Sequence, residues 1–337
     1  MKVLRIETSC DECSVAIVEN GNTILSNVVA TQIELHTPYQ GVVPEIASRL
    51  HTEWISQVVQ SSLDKAALTT KDIDAVAVTN RPGLLGSLLV GVNFAKAFAA
   101  TLEVPVIGID HIRAHLYASQ IEQPLDYPYL GVLVSGGHTV ICKVHGYDTI
   151  EVLGTTIDDA IGEAFDKVSK HYGFGYPGGV VIDRLAQQGN PLAFLFPGPA
   201  LHKGNHPYDV SYSGLKTAVI NQLDQFWDGK SEKSPENIAA SFQRTAVGIL
   251  MKRVRRALED TGLTRLAAGG GVAANSLLRS ELKQLQGIEV AFPSMKLCTD
   301  NGAMIAALAY HYLSDGVQSS LDFTASARVT AFKKTYP

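Results

Sequence analysis

Residues 2–30 read KVLRIETSCDECSVAIVENGNTILSNVVA. Strand-like runs cover 2–8, 14–19 and 23–30, and the breaks between them are polar: Glu7 to Glu12 around Ser9-Cys10-Asp11, then Asn20-Gly21-Asn22. Asn-Gly is a strong hairpin signal, because a two-residue type I′ turn needs positive φ at both central positions. Three adjacent strands joined by tight turns predict an antiparallel meander. Beyond it the period changes. Residues 44–67 place Ile46, Leu50, Trp54, Ile55, Val58, Val59 and Leu63 at helical spacing. A buried strand over 75–79, a helix over 86–102, a strand over 104–109 and a helix over 111–119 follow.

The order then restarts. Strands are expected over 129–135, 138–144 and 149–154, and helices over 158–172 and 235–261. A short strand at 266–268, a helix over 276–285, a strand over 288–292 and a helix over 301–313 complete the chain. Each half is three hairpin strands followed by alternating helix and strand, a repeat of fold without a repeat of sequence. This predicts two duplicated α/β domains, 1–120 and 121–337, with a cleft at their seam, where ligand sites concentrate. Residues 173–212 are rich in Gly, Pro and His and 229–235 form a polar loop, so an insertion over the cleft is expected near 173–234.

Composition narrows the function. A chain of 337 residues suits two domains, and 46% hydrophobic with 18% charged residues is a folded composition. The net charge of −5 excludes attraction of a phosphate backbone by the overall field. A local basic patch at Lys252, Arg253, Arg255 and Arg256 is the one candidate, and a solvated helix face is its more ordinary reading. Four cysteines fit a reducing compartment, and Cys10 and Cys13 lie between two strands, where a redox C-x-x-C does not belong. The N-terminus carries no apolar signal segment, and the richest apolar stretch, 84–109, is interrupted by Lys96 and Glu103. A cytoplasmic protein with no membrane association is expected.

Chemistry concentrates in a few places. The turn Glu7-Thr8-Ser9-Cys10-Asp11-Glu12 and the turn Val134-Ser135-Gly136-Gly137-His138-Thr139 open the two halves. Glycine lets backbone N–H groups approach a phosphate, although Ser-Gly-Gly is also a common turn and no P-loop is present. Gly269-Gly270-Gly271-Val272-Ala273-Ala274-Asn275 joins a strand to a helix N-terminus, good geometry for an anion or simply for close packing, but it is not a dinucleotide fingerprint. His111-Ile112-Arg113-Ala114-His115 sets two imidazoles one turn apart on a helix, able to share a metal but without the Glu of a zincin. Asp300 is an attractive third ligand, and equally well an N-cap for the next helix. Asp158, Asp159, Glu163 and Asp166 crowd the start of one helix, with the last three on one face; some of this is dipole stabilisation, but Asp166 lies beyond the first turn and offers a carboxylate able to hold a ribose or a polar substrate group. His145, His171, His202 and His206 have no paired spacing and read as surface or loop residues.

The segments IETSCDECSVAIVENG (6–21), PGLLGSLLVG (82–91), DHIRAHL (110–116), LVSGGHT (133–139), DDAIGEAFDKVSKHYGFGYPGG (158–179), YSGLKTA (212–218), GGGVAAN (269–275) and CTDNGAM (298–304) occur in this order. Together they resemble the bacterial tRNA N6-adenosine threonylcarbamoyltransferases over nearly the whole chain. The resemblance implies an actin-like ATPase fold of two duplicated domains, and one divalent metal, iron or zinc, on His111, His115 and Asp300. It implies substrate contacts at Leu133, Val134, Ser135, Gly136, Gly137, Asp166, Gly179, Asp183 and Asn275, and a part in catalysis for Asp11 and Glu12. The implied reaction moves a threonylcarbamoyl group from threonylcarbamoyl-AMP to adenosine 37 of tRNA, with an adenine nucleotide (the donor, ATP or ADP) in the cleft. The implied partners are an inactive paralogue and a small ATPase. Two positions depart from the family pattern: Arg81 stands where glycine precedes Pro82, and Arg113 stands where an acidic residue is frequent between the histidines. A metallopeptidase would use the histidine pair but lacks its base, a sugar or acetate kinase of the same fold has no task for the histidines, and a scaffold needs none of these groups.

Overall fold

The computed structural model describes residues 1–199 and 207–328. Residues 200–206, with His202 and His206, lie outside the described residues, as does the end of the chain. Among the described residues the chain forms two compact units, residues 1–124 with 293–328, and residues 125–292 except the undescribed 200–206.

The first unit is built on a five-stranded sheet of β1 (Lys2–Glu7), β2 (Glu12–Glu19), β3 (Thr23–Thr31), β4 (Ala75–Arg81) and β5 (Val106–Asp110), in the order β3-β2-β1-β4-β5. β1, β2 and β3 form the antiparallel meander, with Leu4 opposite Ile17. The β2–β3 turn needs its Asn-Gly pair: Asn20 has φ 52° and Gly21 φ 77°. β4 and β5 add in parallel on the other side of β1. Parallel strands are covered on both faces and read as continuous apolar runs. One face packs Leu4, Ile6, Val15, Ile17, Val76 and Val78 with Ile55, Val58, Val59 and Leu63 of the Pro44–Ala66 helix and Val92, Ala95 and Ala99 of the Leu85–Leu102 helix. The Leu85–Leu102 helix is long and apolar enough to cross a bilayer by length and composition, and its Leu88, Val92, Ala95 and Ala99 are buried within this unit.

The other face is closed from the far end of the chain. The Gly302–Ser314 helix is buried all round over Gly302 to Ala309, the mark of a core helix. Its first residue approaches β2 so closely that a Cβ on Gly302 would lie 2.6 Å from the Ala16 nitrogen, and the Gly302 N–H donates to Ser14 Oγ at 2.9 Å. Past this helix the Ser319 N–H donates to the Val106 carbonyl on the β5 edge (2.9 Å), and the Ser326 N–H donates to the carbonyl of Asn80 at the β4 bulge (2.8 Å). The expected domain 121–337 is therefore divided here: residues 293–328 complete the first unit, because the β1–β2 face is covered by the apolar Gly302–Ser314 helix, which lies outside 1–120.

The second unit repeats the topology. β6 (Tyr129–Val134), β7 (Thr139–Val144) and β8 (Ile150–Thr155) form a meander, and β9 (Arg265–Gly269) and β10 (Glu289–Ala291) add in parallel, giving β10-β9-β6-β7-β8. Its core centres on the Ile161–Tyr172 and Pro235–Thr261 helices, where Phe165 meets Phe242 edge to face at 5.0 Å. The stretch expected as an insertion over a cleft instead enters this core. Ile182 of the Gly178–Ala186 helix, Phe194 and Tyr212 are fully buried, and Tyr212 leads into the Ser213–Asn221 helix. The helix expected from 158 starts at Ile161, because Asp158 is turned away to accept the Tyr212 and Ser213 N–H groups at 2.8 and 3.2 Å.

Replacing Gly302 with alanine drives a methyl group into the β2 backbone. A loss of about 1–3 kcal/mol is expected, read as a lower urea midpoint; an unchanged midpoint would show that the helix does not lock onto β2.

Candidate functional site

β5 ends at Asp110, whose carboxylate caps the short His111–Tyr117 helix by accepting the Ile112 and Arg113 N–H groups at 2.9 and 3.2 Å. The cap sets His111 and His115 one turn apart, with ring centroids 4.5 Å from each other and planes at 86°. Asp300 joins them. His115 Nε2 lies 3.0 Å from Asp300 Oδ1 and 3.1 Å from His111 Nε2, and His111 Nε2 is 3.4 Å from the same oxygen. One ligand atom from each residue lies within 4.8 Å of the others. The competing role for Asp300 is filled by its neighbour: Asn301 is the N-cap of the Gly302–Ser314 helix, with Oδ1 accepting the Met304 N–H at 3.2 Å.

The electrostatics match a cation site. Burial opposes charge on His111, but the Asp300 and Glu7 carboxylates outweigh it and raise its pKa to about 10. Burial and the neighbouring His111 push His115 down. Asp300, despite burial, is held well below the usual carboxylate range by His111 and His115. Two imidazoles and one carboxylate, 1 to 23% exposed, form a donor set of the type that holds Zn2+ or Fe2+. The residues present fit the metal that the sequence implies.

Asp11 and Glu12 stand on the β1–β2 turn of the same unit. Asp11 is buried and its carbonyl accepts the Gln32 N–H at 3.1 Å, while His51 Nε2 donates to the Cys10 carbonyl at 2.9 Å. Burial, then Asp300 and Asp11, push the Glu12 carboxyl well above its usual range. Ser9 Oγ lies 3.3 Å from His111 Nδ1. The Leu84 N–H donates to the Ser9 carbonyl at 2.8 Å, an approach that needs glycine at 83, where a Cβ would lie 2.9 Å from Ser9 Cβ. The acidic turn and the histidines therefore share one neighbourhood. The two unusual arginines also fall here: Arg81 Nε pairs with Asp110 Oδ2 at 3.4 Å, and the Arg113 N–H is one of the two that Asp110 caps.

The other expected site residues belong to the second unit. Leu133 and Val134 are buried at the end of β6, and Gly136 and Gly137 are exposed on the turn that follows. That turn is closed by the Ser135 N–H to the His138 carbonyl (2.8 Å) and the His138 N–H to Ser135 Oγ (3.1 Å). Gly162, at the start of the Ile161–Tyr172 helix, abuts Ser135 and Gly136, where a Cβ would lie 2.6 Å from the Ser135 carbonyl oxygen. Gly270, at φ 91°, lies against the Val134 carbonyl. Asp166 Oδ1 accepts the Gly178 N–H at 2.8 Å, next to Gly179 at the start of the next helix. Asn275 is an N-cap whose Oδ1 accepts the Leu278 N–H at 3.0 Å. Its amide donates to Asp183 (3.2 Å) and Gln243 (3.0 Å), and Ser276 Oγ donates to Asp183 at 2.7 Å. A cavity of about 310 Å³ adjoins this network, lined in part by Ala186, Ala240, Gln243, Ser276 and Leu277.

Asp159, Glu163 and Asp166 do not act as one acidic face. Asp159 pairs with Lys167 (2.9 Å) and Lys216, and Glu163 pairs with Lys167 (2.7 Å). In the basic cluster, Arg255 pairs with Glu281 at 2.8 Å and Arg256 with Asp260 at 3.3 Å, as on an ordinary solvated face. Sequence reasoning missed Arg5 and Glu7, fully buried beside the histidines. The available signal was Arg5 and Glu7 on the same face of the β1 run KVLRIE, whose other residues after Lys2 are apolar.

Two sheets of the same order, each a meander extended by parallel strands, define the actin-like ATPase fold. A full-length HypF structure in a phosphate- and nucleotide-bound form matches with TM-score 0.65 at 15% identity, over 94% of this chain and 47% of that one. Component A of the Acidaminococcus fermentans (R)-2-hydroxyglutaryl-CoA dehydratase matches with TM-score 0.56 at 15% identity, over 93% and 99%. The sequence model of the tRNA N6-adenosine threonylcarbamoyltransferase family matches residues 23–307. Proteins of that name from Treponema denticola and Borreliella burgdorferi are 61% and 50% identical, covering 99% and 100% of this chain and 99% and 96% of their own. The chain belongs to the tRNA N6-adenosine threonylcarbamoyltransferase family.

Burial pushes the Cys13 and Cys142 thiols up to about 12, which leaves no thiolate for redox chemistry near neutral pH. Iodoacetamide at pH 8, followed by peptide mass analysis, is expected to modify neither until guanidinium unfolds the chain. Rapid labelling of either in the native protein would contradict the burial argument.

Proposed function

We propose that the chain transfers the threonylcarbamoyl group of threonylcarbamoyl-AMP to N6 of adenosine 37 in tRNAs that read ANN codons, forming N6-threonylcarbamoyladenosine and AMP. The observation that carries this reading is family membership along nearly the whole chain, and the convergence of His111, His115 and Asp300 supports it. In the transfer a bond forms from N6 to the carbamoyl carbon. The bond from that carbon to the phosphate oxygen breaks, its electron pair leaves with AMP, and N6 gives up a proton. The adenosine N6 lone pair is delocalised into the ring, so catalysis rests on positioning and on stabilising developing charge.

The first unit supplies the cation site. His111 and His115 ligate as neutral imidazoles and Asp300 as a carboxylate, holding one Fe2+ or Zn2+, which when bound supplies Lewis-acid stabilisation of charge on the donor. Asp11 and Glu12 are the carboxyl groups assigned to the proton that N6 loses. The second unit supplies the nucleotide loops. The Ser135-Gly136-Gly137 turn, seated on Leu133 and Val134, donates N–H and hydroxyl groups to phosphate. Asp166, Gly179, Asp183 and Asn275 hold the nucleoside of the donor, or of ATP or ADP. The neighbouring cavity, with apolar walls and the Gln243 amide, suits a flat base with polar edges. A net charge of −5 gives the tRNA no overall attraction, so its docking is shared with an inactive paralogue and a small ATPase of the modification machinery, in the cytoplasm and away from membranes.

The test combines the purified chain, its partner proteins, unmodified tRNA and synthetic threonylcarbamoyl-AMP, with mass analysis of the digested nucleosides. Modified adenosine is expected from the wild type. His115→Ala, with its fold checked by circular dichroism, is expected to fall to background, as is chelated wild type until Fe2+ or Zn2+ is restored. No modified adenosine from the wild type with every partner present would overturn the transferase reading.

A further inference from the structure

Arg5 and Glu7 lie two residues apart on β1, so both side chains leave the same face of the strand, and neither has any exposed surface. Glu7 Oε1 accepts the Ser9 N–H at 2.5 Å. Glu7 Oε2 accepts from Thr79 Oγ1 at 2.7 Å, from Arg5 Nη2 and from His111 Nδ1 at 3.1 Å. Arg5 Nη2 also donates to Thr79 Oγ1 at 2.6 Å, and Arg5 Nη1 donates to the carbonyl of Asn301, 296 residues away and adjacent to Asp300. One strand thus holds both the histidine helix and the loop that carries the carboxylate ligand.

We infer that Glu7 and Arg5 are the positioning pair of the metal centre: Glu7 selects the His111 tautomer that ligates through Nε2, and Arg5 ties the Asp300 loop to the same strand. The inference rests on the cation site proposed above. An imidazole that donates from Nδ1 carries its lone pair on Nε2, and His111 Nε2 is the atom that faces His115 Nε2 at 3.1 Å and Asp300 Oδ1 at 3.4 Å. A carboxylate behind a ligating histidine is the recurrent way to fix ring orientation and tautomer. A lone carboxylate would also add a negative charge beside the cation. Arg5 cancels it, so the pair aims His111 without changing the net charge of the site. Arg113 stands between the histidines where the family pattern has an acidic residue, and the carboxylate that meets His111 comes from β1.

The wild-type chain gives the first test. In protein loaded with Zn2+ and labelled with 15N-histidine, long-range proton–nitrogen spectra are expected to show His111 with its proton on Nδ1 and the metal on Nε2; the opposite tautomer overturns the inference. The second test is titration with Co2+, following the visible ligand-field bands. Glu7→Gln, which keeps the shape and loses the charge, is expected to weaken Co2+ binding by roughly 10–100-fold and to shift the bands while the far-ultraviolet circular dichroism stays unchanged. Glu7→Asp is expected to recover part of the affinity. Wild-type affinity and bands in Glu7→Gln overturn this inference alone, whereas a wild-type chain that binds neither ion overturns the cation site and the inference together. If Glu7→Gln does not fold, the tautomer measured in the wild type decides the question.

Discussion

A guanidinium stays charged in a protein interior only where a counter-ion and hydrogen-bond acceptors replace its water. Arg5 meets that demand with Glu7, Thr79 and the Asn301 carbonyl, and burial still pulls its pKa down to about 10. Glu7 sits under the same constraint, since burial alone would protonate it, and Arg5 and His111 hold it ionised. A buried ion pair is a weak source of stability against an apolar replacement, and its better-attested value is registry. Here the registry joins β1, β4, the turn after β1, the histidine helix and the loop before the C-terminal helix around the candidate cation site.

The geometry of the sheet and the geometry of the site are the same problem in the first unit. A central strand bonded to an antiparallel neighbour on one side and a parallel one on the other is buried on both faces. The Pro44–Ala66 and Leu85–Leu102 helices cover one face. Covering the other requires the apolar Gly302–Ser314 helix, and its docking through Gly302 on β2 places Asp300, two residues earlier, against the histidines. A change in that packing would move Asp300 relative to His111 and His115.

The second unit uses the same topology for different chemistry. Its strand ends carry glycine turns with open backbone, and its polar side chains are organised by helix ends: Asp166 at Gly178, and Asp183 with Asn275 at Ser276. Both carboxylates are held in place by these backbone and side-chain donors. The duplicated fold thus provides a charged, buried centre in one unit and a backbone-lined, partly exposed loop set in the other.

Much of this was legible in the chain itself because it depends on local spacing. Asn20-Gly21 sets a turn that needs positive φ, the three-strand runs recur at 129, and His111 and His115 share a helix face whatever surrounds them. Eight short segments in order identify the family. The remainder depends on contacts between residues far apart in sequence. Periodicity cannot show that residues from 293 onward return to the first sheet, or that the stretch after 173 is core, because an apolar helix does not encode which face it will cover. It cannot say whether Asp300 caps the next helix either; in the structure Asn301 takes the cap and Asp300 lies against His115 and His111. The sequence alone determined most of the elements, the duplication and the side-chain types of the candidate site. The tertiary structure decided which carboxylate meets which imidazole, because hydrogen bonds and close packing act over a few ångströms of space regardless of the 296 residues that separate Arg5 from Asn301.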